Sequence, residues 1–329
     1  MPTLVLEPAG PYSLALSARL AGDATRSFAD GVLRAVLEVD GAPELASARQ
    51  GPCGALVLEG PSEGALDQLR SVLALERDHT PFLERFAGDP LIGETTRQLR
   101  GLRPLLVPTA AQALLRALCG QLIEARRARQ IERRVIVAAT AALGGLHAPP
   151  STAALGGFAP AELRALGLHA RRAATLVRLC RTLDLDRLHA FPTAVVAARL
   201  ERERGLGPWS VGVICLEGLG RPERGLTGDL GLVKLLSALR GRWVEAEETA
   251  ALLEPYGEWA GLASVYLLAG WRRGLVPVPG LHSRAWRQID VGSRSSARAR
   301  SASPFSGASS AAAGPSRGRS SSRHAEPNA

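Results

Sequence analysis

The strongest constraint on the fold is a series of segments with helical periodicity, which begins after residue 104 and continues to residue 271. In the first segment, leucines recur at three- and four-residue steps up to Leu122, and Thr109 can cap the helix that carries them. The same pattern predicts further helices over 131–143, 160–166, 170–183, 193–204, 209–219, 230–239, 245–253 and 258–271. We therefore expect residues 104–280 to form an all-helical domain.

The first 103 residues differ, because glycine, proline and aspartate break them into short segments. Segments 12–17, 32–39 and 55–58 are partly rich in β-forming residues, and a helix is predicted over 63–75. We expect residues 1–103 to form a small α+β domain with an antiparallel sheet. The predicted fold class is mainly α, with this domain preceding the helical one.

Residues 281–329 consist largely of serine, alanine, glycine and arginine, and such a composition buries too little apolar surface to fold. We expect a disordered basic tail. Its eight arginines and two acidic residues contribute +6 of the chain's net charge of +9. The rest of the chain is only mildly basic, so charge alone leaves nucleic-acid binding open.

The four cysteines are far apart and form no Cys-x-x-Cys pair, and the six histidines show no ligand spacing. We expect free thiols, no catalytic metal and no iron–sulfur cluster. The first ten residues lack the basic start and apolar core of a signal peptide, and the longest apolar runs are too short to span a bilayer. We expect a cytoplasmic protein without membrane contacts.

A glycine-rich turn separates two of the predicted helices, in the run Gly205-Leu206-Gly207-Pro208-Trp209-Ser210. Two glycines around one apolar residue allow a tight hairpin whose backbone N–H groups face outward, and Pro208 suits the first turn of the next helix. Such a helix start can bind a phosphate. An ordinary helical turn explains the same residues when they are taken alone.

A second motif, Gly228-Asp229-Leu230-Gly231-Leu232, follows Trp209 by about twenty residues. With the hairpin it resembles the helix-hairpin-helix superfamily of DNA glycosylases, most closely the branch of 3-methyladenine DNA glycosylase II. The run Leu118-Cys119-Gly120-Gln121-Leu122 is similar to that branch's Gly-Gln signature. Leu166-Gly167-Leu168, followed by Arg171 and Arg172, matches another of its landmarks.

The resemblance implies a role for each motif. Asp229 is expected to stabilise the positive charge that develops on the sugar during glycosidic cleavage, although a helix cap is its simpler role. Leu122 is expected to enter the minor groove as a wedge, or else to be a core leucine. Base-stacking residues are expected at Trp209 and Trp259, although a core aromatic is the simpler role of each. DNA contacts are expected at Gly205, Leu206, Gly207, Ser210 and Gln121.

The type of reaction depends on one hairpin position. Members that also cut the strand carry a lysine where this chain has Trp209, and a tryptophan cannot form a Schiff base. The chain's single lysine, Lys234, lies outside the hairpin. We expect a monofunctional enzyme of base excision repair that needs no cofactor, acts as a monomer near the nucleoid and leaves an abasic site.

The sequence also departs from the branch at positions that often hold pocket aromatics, where it carries Leu20, Val213 and Leu230. The usual Trp-Arg-Ser-Tyr run is replaced by residues 259–262, Trp-Ala-Gly-Leu. Cationic alkylpurines such as 3-methyladenine and 7-methylguanine are therefore the expected substrates. Three alternatives stay open: a non-enzymatic protein that binds damaged DNA, a glycosylase with lyase activity, and a helical scaffold with a glycine turn.

Overall fold

A computed structural model describes residues 2–19 and 21–278. Within them, an antiparallel sheet has the strand order β1-β5-β4-β3-β2. Its strands are β1 (Thr3–Leu6), β2 (Arg26–Ala29), β3 (Val32–Val39), β4 (Ala42–Gln50) and β5 (Leu56–Glu59). A separate two-stranded ribbon pairs β6 (Ala142–Leu143) with β7 (Leu146–His147).

Two Asp-Gly turns set the register of the central strands. Asp30-Gly31 joins β2 to β3 and Asp40-Gly41 joins β3 to β4, and all four residues have positive φ. Two-residue turns of this kind match the right-handed twist of paired strands. The turns therefore place one face of β3 and β4 against helix α2 (Glu63–Val72), which covers the sheet.

The rest of the described chain is helical, as the sequence predicts. The first helices are α1 (Leu14–Ala18), α3 (Thr80–Arg85), α4 (Gly93–Gln98), α5 (Ala110–Gly120), α6 (Ala125–Ala139), α7 (Thr152–Gly157) and α8 (Pro160–Ala165). They are followed by α9 (Ala170–Thr182), α10 (Thr193–Glu201), α11 (Pro208–Val213), α12 (Leu230–Arg240), α13 (Thr249–Leu253) and α14 (Ala260–Arg273). A turn of π-helix, Ile214–Gly218, extends α11, and 3₁₀ turns cover Asp186–Ala190, Ala246–Glu248 and Glu254–Trp259.

The main-α fold class with a small antiparallel sheet is confirmed, with three local corrections. Segment 12–17, predicted to be β-rich, forms α1 because Ser13 caps it by accepting a hydrogen bond from Leu16 N. The helix predicted over 131–143 begins earlier and ends at Ala139, before the glycine turn of the β6–β7 ribbon. Leu122 lies beyond the end of α5.

Two large apolar cores lie inside the described chain, besides a small cluster formed by Val233, Leu236 and Val244. One fills the space between the sheet and α2, and the other lies among the helices from α3 to α14. The second core takes in Phe82 and Phe86, which precede residue 104. The boundary between residues 103 and 104 stays a prediction, and the predicted tail over 281–329 lies outside the described residues.

Every helix in the described part of the chain is too short or too polar to cross a lipid bilayer.

A buried cluster of charged residues joins the loop before β2 to the helices. Arg116 of α5 contacts Asp23 at 2.6 Å, Glu132 of α6 at 2.8 Å and Glu217 of the π-helical turn at 2.7 Å. Arg26 also pairs with Asp23, at 2.7 Å. Burial alone would raise the pKa of the Asp23 carboxyl, but the guanidinium groups of Arg26 and Arg116 hold that pKa well below its usual range.

Candidate active site

A glycine turn joins α10 to α11. Gly205 has φ of +99°, and a Cβ atom there would lie only 2.7 Å from Oγ1 of Thr175 on α9, so a side chain is excluded. Pro208 occupies the first turn of α11, where a missing N–H costs nothing. Gly205 and Gly207 are exposed, and neither backbone N–H has an acceptor among the described residues. The turn therefore presents free amides to an anion.

Asp229 caps the N-terminus of α12. Its Oδ1 atom accepts hydrogen bonds from the backbone N–H groups of Gly231 at 2.8 Å and Leu232 at 3.3 Å. The preceding Gly228 has φ of +86° and donates its N–H to Oγ1 of the buried Thr249 at 2.7 Å. The carboxylate is thereby fixed at the positive end of the helix dipole.

The indole of Trp209 connects the hairpin to Asp229. Its Nε1–H group donates to Oδ2 of Asp229 at 3.0 Å, although twenty residues separate the two along the chain. The Trp209 ring also packs against the end of α5, because a Cβ atom on Gly120 would lie 2.4 Å from the ring. One carboxylate oxygen is held by α12 and the other by the hairpin, and Oδ2 retains a lone pair for water or a sugar.

Gln121 connects the turn after α5 to the same hairpin. Its Nε2 atom donates to the carbonyl oxygen of Gly205 and to Oγ of Ser210, each at 2.9 Å. Ser210 and Leu206 are buried beneath the turn, whereas Gly205 and Gly207 lie at the surface. The predicted DNA contacts therefore divide into surface glycines and residues that support them.

Leu122 lies in the turn between α5 and α6, next to Gln121. Its side chain is 94% exposed, and its φ is +51°. A leucine rarely adopts this left-handed conformation, and an apolar side chain gains nothing from full exposure in the protein alone. The alternative that Leu122 belongs to the core is wrong.

Trp259 lies apart from this arrangement. Its half-buried ring packs against Phe82, with 5.9 Å between ring centroids, and Phe82 in turn contacts Tyr266 at 5.0 Å. The structure brings Trp209 into contact with Asp229 and places Trp259 at the edge of an aromatic cluster. Its predicted role as a base-stacking residue stays a prediction.

The positions where the sequence lacks pocket aromatics lie in different surroundings. Val213 is buried in α11, and Leu230, next to Asp229, is 45% exposed. Gly261 donates its N–H to the carbonyl oxygen of Pro222 at 2.6 Å, and a Cβ atom there would lie 2.8 Å from that oxygen. The segment around Pro222 therefore occupies space that a larger side chain at 261 would need. Leu20 lies outside the described residues.

The cysteines are free thiols in the structure. Burial raises the pKa of Cys180 to about 12 and that of Cys215 to about 11, and it also raises the pKa of Cys119. These three thiols are therefore poor sources of the thiolate that metal binding needs. Among the described residues, no three His, Cys, Asp or Glu side chains are grouped as a metal site would require.

Several residues that shape the site carried no functional prediction. Gly120 makes room for the Trp209 ring, Thr175 packs under Gly205, and Thr249 fixes the turn before Asp229. Gly120 could have been found from the Gly-Gln signature that contains it. The two threonines come from distant helices, and no local pattern marks them.

The chain is similar to a curated protein and to several solved structures. No family model matches the sequence. A DNA-3-methyladenine glycosylase of Bacillus subtilis is 24% identical over 209 residues, which are 60% of this chain and 68% of the relative.

Solved structures show the same architecture. A 3-methyladenine DNA glycosylase from Archaeoglobus fulgidus superimposes with a TM-score of 0.71 at 20% identity, over 83% of this chain and 99% of that one. An 8-oxoguanine glycosylase/lyase of Clostridium acetobutylicum, in complex with double-stranded DNA, gives a TM-score of 0.69 at 14% identity, over 84% and 99% of the two chains. The chain therefore has the fold of the helix-hairpin-helix DNA glycosylases, and the resemblance that its motifs indicate is confirmed.

Proposed function

We propose that this protein is a DNA glycosylase of base excision repair that removes alkylated purines from duplex DNA. The observation that carries the proposal is the hydrogen bond from Trp209 Nε1 to Asp229 Oδ2, which unites the hairpin and the aspartate motif in one site. The B. subtilis relative and the A. fulgidus structure are both named as glycosylases of 3-methyladenine, which supports this substrate class.

In this proposal, the hairpin binds the backbone of the DNA. The exposed amides of Gly205 and Gly207 lie at the start of a helix, where a phosphate gains both hydrogen bonds and a favourable dipole. Such contacts position a duplex without reading its sequence. The C. acetobutylicum structure, which shares the fold, is a complex with double-stranded DNA.

Leu122 supplies the wedge. To reach the glycosidic bond, the enzyme must take the damaged nucleotide out of the stack, at a cost of a few kcal/mol. An exposed leucine held on a strained turn can fill the gap that the nucleotide leaves. Gln121 donates a hydrogen bond from this turn to the hairpin. Leu122 and the hairpin amides that bind the DNA backbone are therefore held in a fixed position relative to each other.

Asp229 supplies the chemistry. Cleavage of the glycosidic bond builds positive charge on the deoxyribose, and a fixed carboxylate near that sugar stabilises the charge without having to reorient. Hydrogen bonds from α12 and from Trp209 hold the carboxylate in one orientation. In this role Asp229 also directs the attacking water toward the sugar.

The same residues support a monofunctional reaction. The fold alone does not decide this question, since one structural neighbour is a glycosylase/lyase. In this chain, however, the hairpin position holds the indole that binds Asp229, and the single lysine, Lys234, lies on the exposed side of α12. Without an amine in the hairpin, no Schiff base with the sugar forms there.

The proposal is tested by product analysis on duplexes that carry one 3-methyladenine, 7-methylguanine, hypoxanthine or ethenoadenine. We expect release of the two cationic bases much faster than the neutral ones, because their glycosidic bonds are already weakened and the pocket offers little aromatic surface. We also expect strand breaks only after alkali. Binding without base release would indicate a damage-binding protein, and breaks without alkali would indicate lyase activity.

A further inference from the structure

A cationic cleft of about 410 Å³ opens beside the Leu122 turn. It lies on the first turns of α6 and reaches the turn between α8 and α9. The residues that line the cleft include Glu124, Arg126, Arg127, Gln130, Arg134 and Gly167. The cleft shares no lining residue with the hairpin or with Asp229, so it is a separate feature of the surface.

The cleft carries uncompensated positive charge. Three exposed arginines, Arg126, Arg127 and Arg134, face it against the single carboxylate of Glu124. In the part of the chain that the structure describes, none of the three forms an ion pair. Elsewhere on the surface, arginines such as Arg178 and Arg240 pair with nearby glutamates.

The helix that bears the cleft divides its charges between two faces. Arg129 and Glu132 of α6 turn toward the protein, where Glu132 meets the buried Arg116 at 2.8 Å. Arg126, Arg127 and Arg134 point the other way, into the cleft. The buried cluster therefore fixes the orientation of α6, and this orientation holds the three arginines at the surface.

The opposite wall of the cleft brings backbone close to one guanidinium group. Gly167 has φ of +104°, and a Cβ atom there would lie 3.5 Å from Nη1 of Arg134. The turn is closed by a hydrogen bond from Leu168 N to Leu163 O at 3.0 Å. The Arg134 guanidinium therefore lies beside a defined turn, which forms one wall for a bound anion.

The position of the cleft indicates its ligand. Arg126 follows Leu122 by four positions, so their Cα atoms are at most about 14 Å apart. A minor groove is about 6 Å wide, and duplex DNA carries one charge per roughly 1.7 Å of its axis. A duplex that takes up Leu122 in its minor groove therefore brings backbone phosphates to the arginines.

We propose that this arginine cleft binds a backbone phosphate of duplex DNA next to the wedge, as a second anchor besides the hairpin. The proposal rests on the DNA substrate of the proposed function. The planar guanidinium groups match the geometry of phosphate oxygens, and the contact needs no base sequence. Two anchors near the wedge would hold the duplex while the nucleotide is extruded.

The first test compares two triple variants on a duplex with a tetrahydrofuran abasic analogue. The cleft variant carries Arg126→Gln, Arg127→Gln and Arg134→Gln. The control variant carries Arg34→Gln, Arg100→Gln and Arg272→Gln, which remove the same charge from exposed arginines outside the cleft. Equal thermal unfolding midpoints for both variants and the wild type establish that all three proteins are folded.

We expect the cleft variant to bind roughly tenfold more weakly at 0.1 M salt for each phosphate contact that it loses, and its salt slope to fall by about 0.9 per contact. The control variant should lose only about twofold, since distant charges are screened at this salt. Equal losses in the two variants would overturn the proposal, because net charge and not the cleft would then set affinity.

The second test locates the contact. Methylphosphonate groups, which are uncharged, replace the phosphates one at a time on both strands around the abasic analogue. At one or two positions this replacement should weaken binding by the wild type and the control variant but not by the cleft variant, because the contact is already lost. If no position behaves in this way, the cleft does not bind a backbone phosphate. Competition by free inorganic phosphate at millimolar concentration, without such a position, would also contradict the proposal.

The outcome is independent of the chemistry at Asp229. Suppose that phosphate replacement weakens binding by the wild type but not by the cleft variant, and that the wild type releases no base. The cleft proposal then stands and the glycosylase proposal fails. If the wild type releases 3-methyladenine and the two triple variants bind alike, the cleft proposal alone fails.

Discussion

At the scale of single residues, the arrangement depends on Trp209, whose indole makes a polar contact and an apolar one. Its N–H holds Oδ2 of Asp229 at 3.0 Å, and its ring fills the space above Gly120. The tryptophan at this hairpin position therefore orients the carboxylate of Asp229.

The substitution Trp209→Phe separates the two contacts. It removes the N–H donor but keeps an aromatic ring against Gly120, so we expect small losses of stability and of DNA affinity. The base-release rate should fall roughly ten- to hundredfold, since one hydrogen bond to a charged group is worth about 1.5–3 kcal/mol. Single-turnover kinetics measure the rate, and denaturant unfolding measures the stability. An unchanged rate would show that α12 alone holds Asp229 in place.

Leu122 differs from Trp209, because its side chain adds no packing that would stabilise the free protein. Its exposed side chain and left-handed backbone cost stability in the free protein. Strain of this kind persists where a ligand needs it, and the minor-groove wedge that we propose for Leu122 would be such a case.

Two substitutions at Leu122 test the wedge. Leu122→Ala should slow excision from paired sites more than from mismatched sites, where flipping costs less. Leu122→Gly also relieves the backbone strain, so it should raise the free energy of unfolding by up to about 1 kcal/mol while excision still falls. Single-turnover rates on paired and mismatched duplexes, together with denaturant unfolding, give both answers. Equal loss on both substrates would contradict the wedge.

At the scale of elements, the buried charged cluster fixes the helices that carry the site. Arg116 lies on α5, which ends just before the Leu122 turn. Its partner Glu217 lies in the π-helical turn that extends α11, the helix that carries Trp209. A third partner, Asp23, precedes the sheet. Burial opposes ionisation of Glu217, but Arg116 and Arg129 lower the pKa of its carboxyl.

The substitution Arg116→Met removes the cation shared by Asp23, Glu132 and Glu217, and it leaves Glu217 without an ion pair, so it should cost about 3–5 kcal/mol at pH 7. The lowered pKa values of Asp23 and Glu217 mean that their contribution is present above about pH 4 and is lost as the pH falls through the folded-state values. The destabilisation by Arg116→Met should therefore shrink below pH 4. Urea unfolding at pH 7 and pH 3.5 measures it. Arg49→Met, which breaks an exposed pair with Glu59, should cost under about 1 kcal/mol and serves as the control.

The elements also show what sequence can predict here. Helical periodicity located most helices after residue 104 to within a few residues, because one apolar stripe packs against one core. The strand prediction missed β4, because its alanines and proline have little β-propensity. The Asp40-Gly41 turn and the neighbouring strands hold β4 in place. Helical periodicity also extended the first helix to Leu122, since periodicity does not show that Gln121 ends the helix by turning toward the hairpin.

Within the candidate site, motifs predicted roles for Asp229 and the hairpin, but the contact between the two could not be predicted. The hydrogen bond between Trp209 and Asp229 spans twenty residues and depends on how α11 and α12 pack. The cleft arginines gave no signal either, because in sequence they differ little from Arg129, which faces the buried cluster. The fold determines which of these arginines forms an ion pair with a carboxylate.

At the scale of the whole molecule, we propose that segments adjoining α5, α11 and α12 form a single active site on a helix-hairpin-helix fold. The hairpin and wedge turn are joined by Gln121, and the hairpin and the acid are joined by Trp209. Binding and chemistry are nevertheless assigned to different residues, so they should be separable by mutation.

The most direct test of this claim is the substitution Asp229→Asn, measured on a duplex with a single 7-methylguanine. The amide keeps the shape of the side chain and an oxygen for the α12 cap but removes the charge. We predict a single-turnover base-release rate lower by several orders of magnitude, with DNA affinity and unfolding free energy close to those of the wild type. A rate within about threefold of the wild type would show that Asp229 is only a helix cap and would contradict the account.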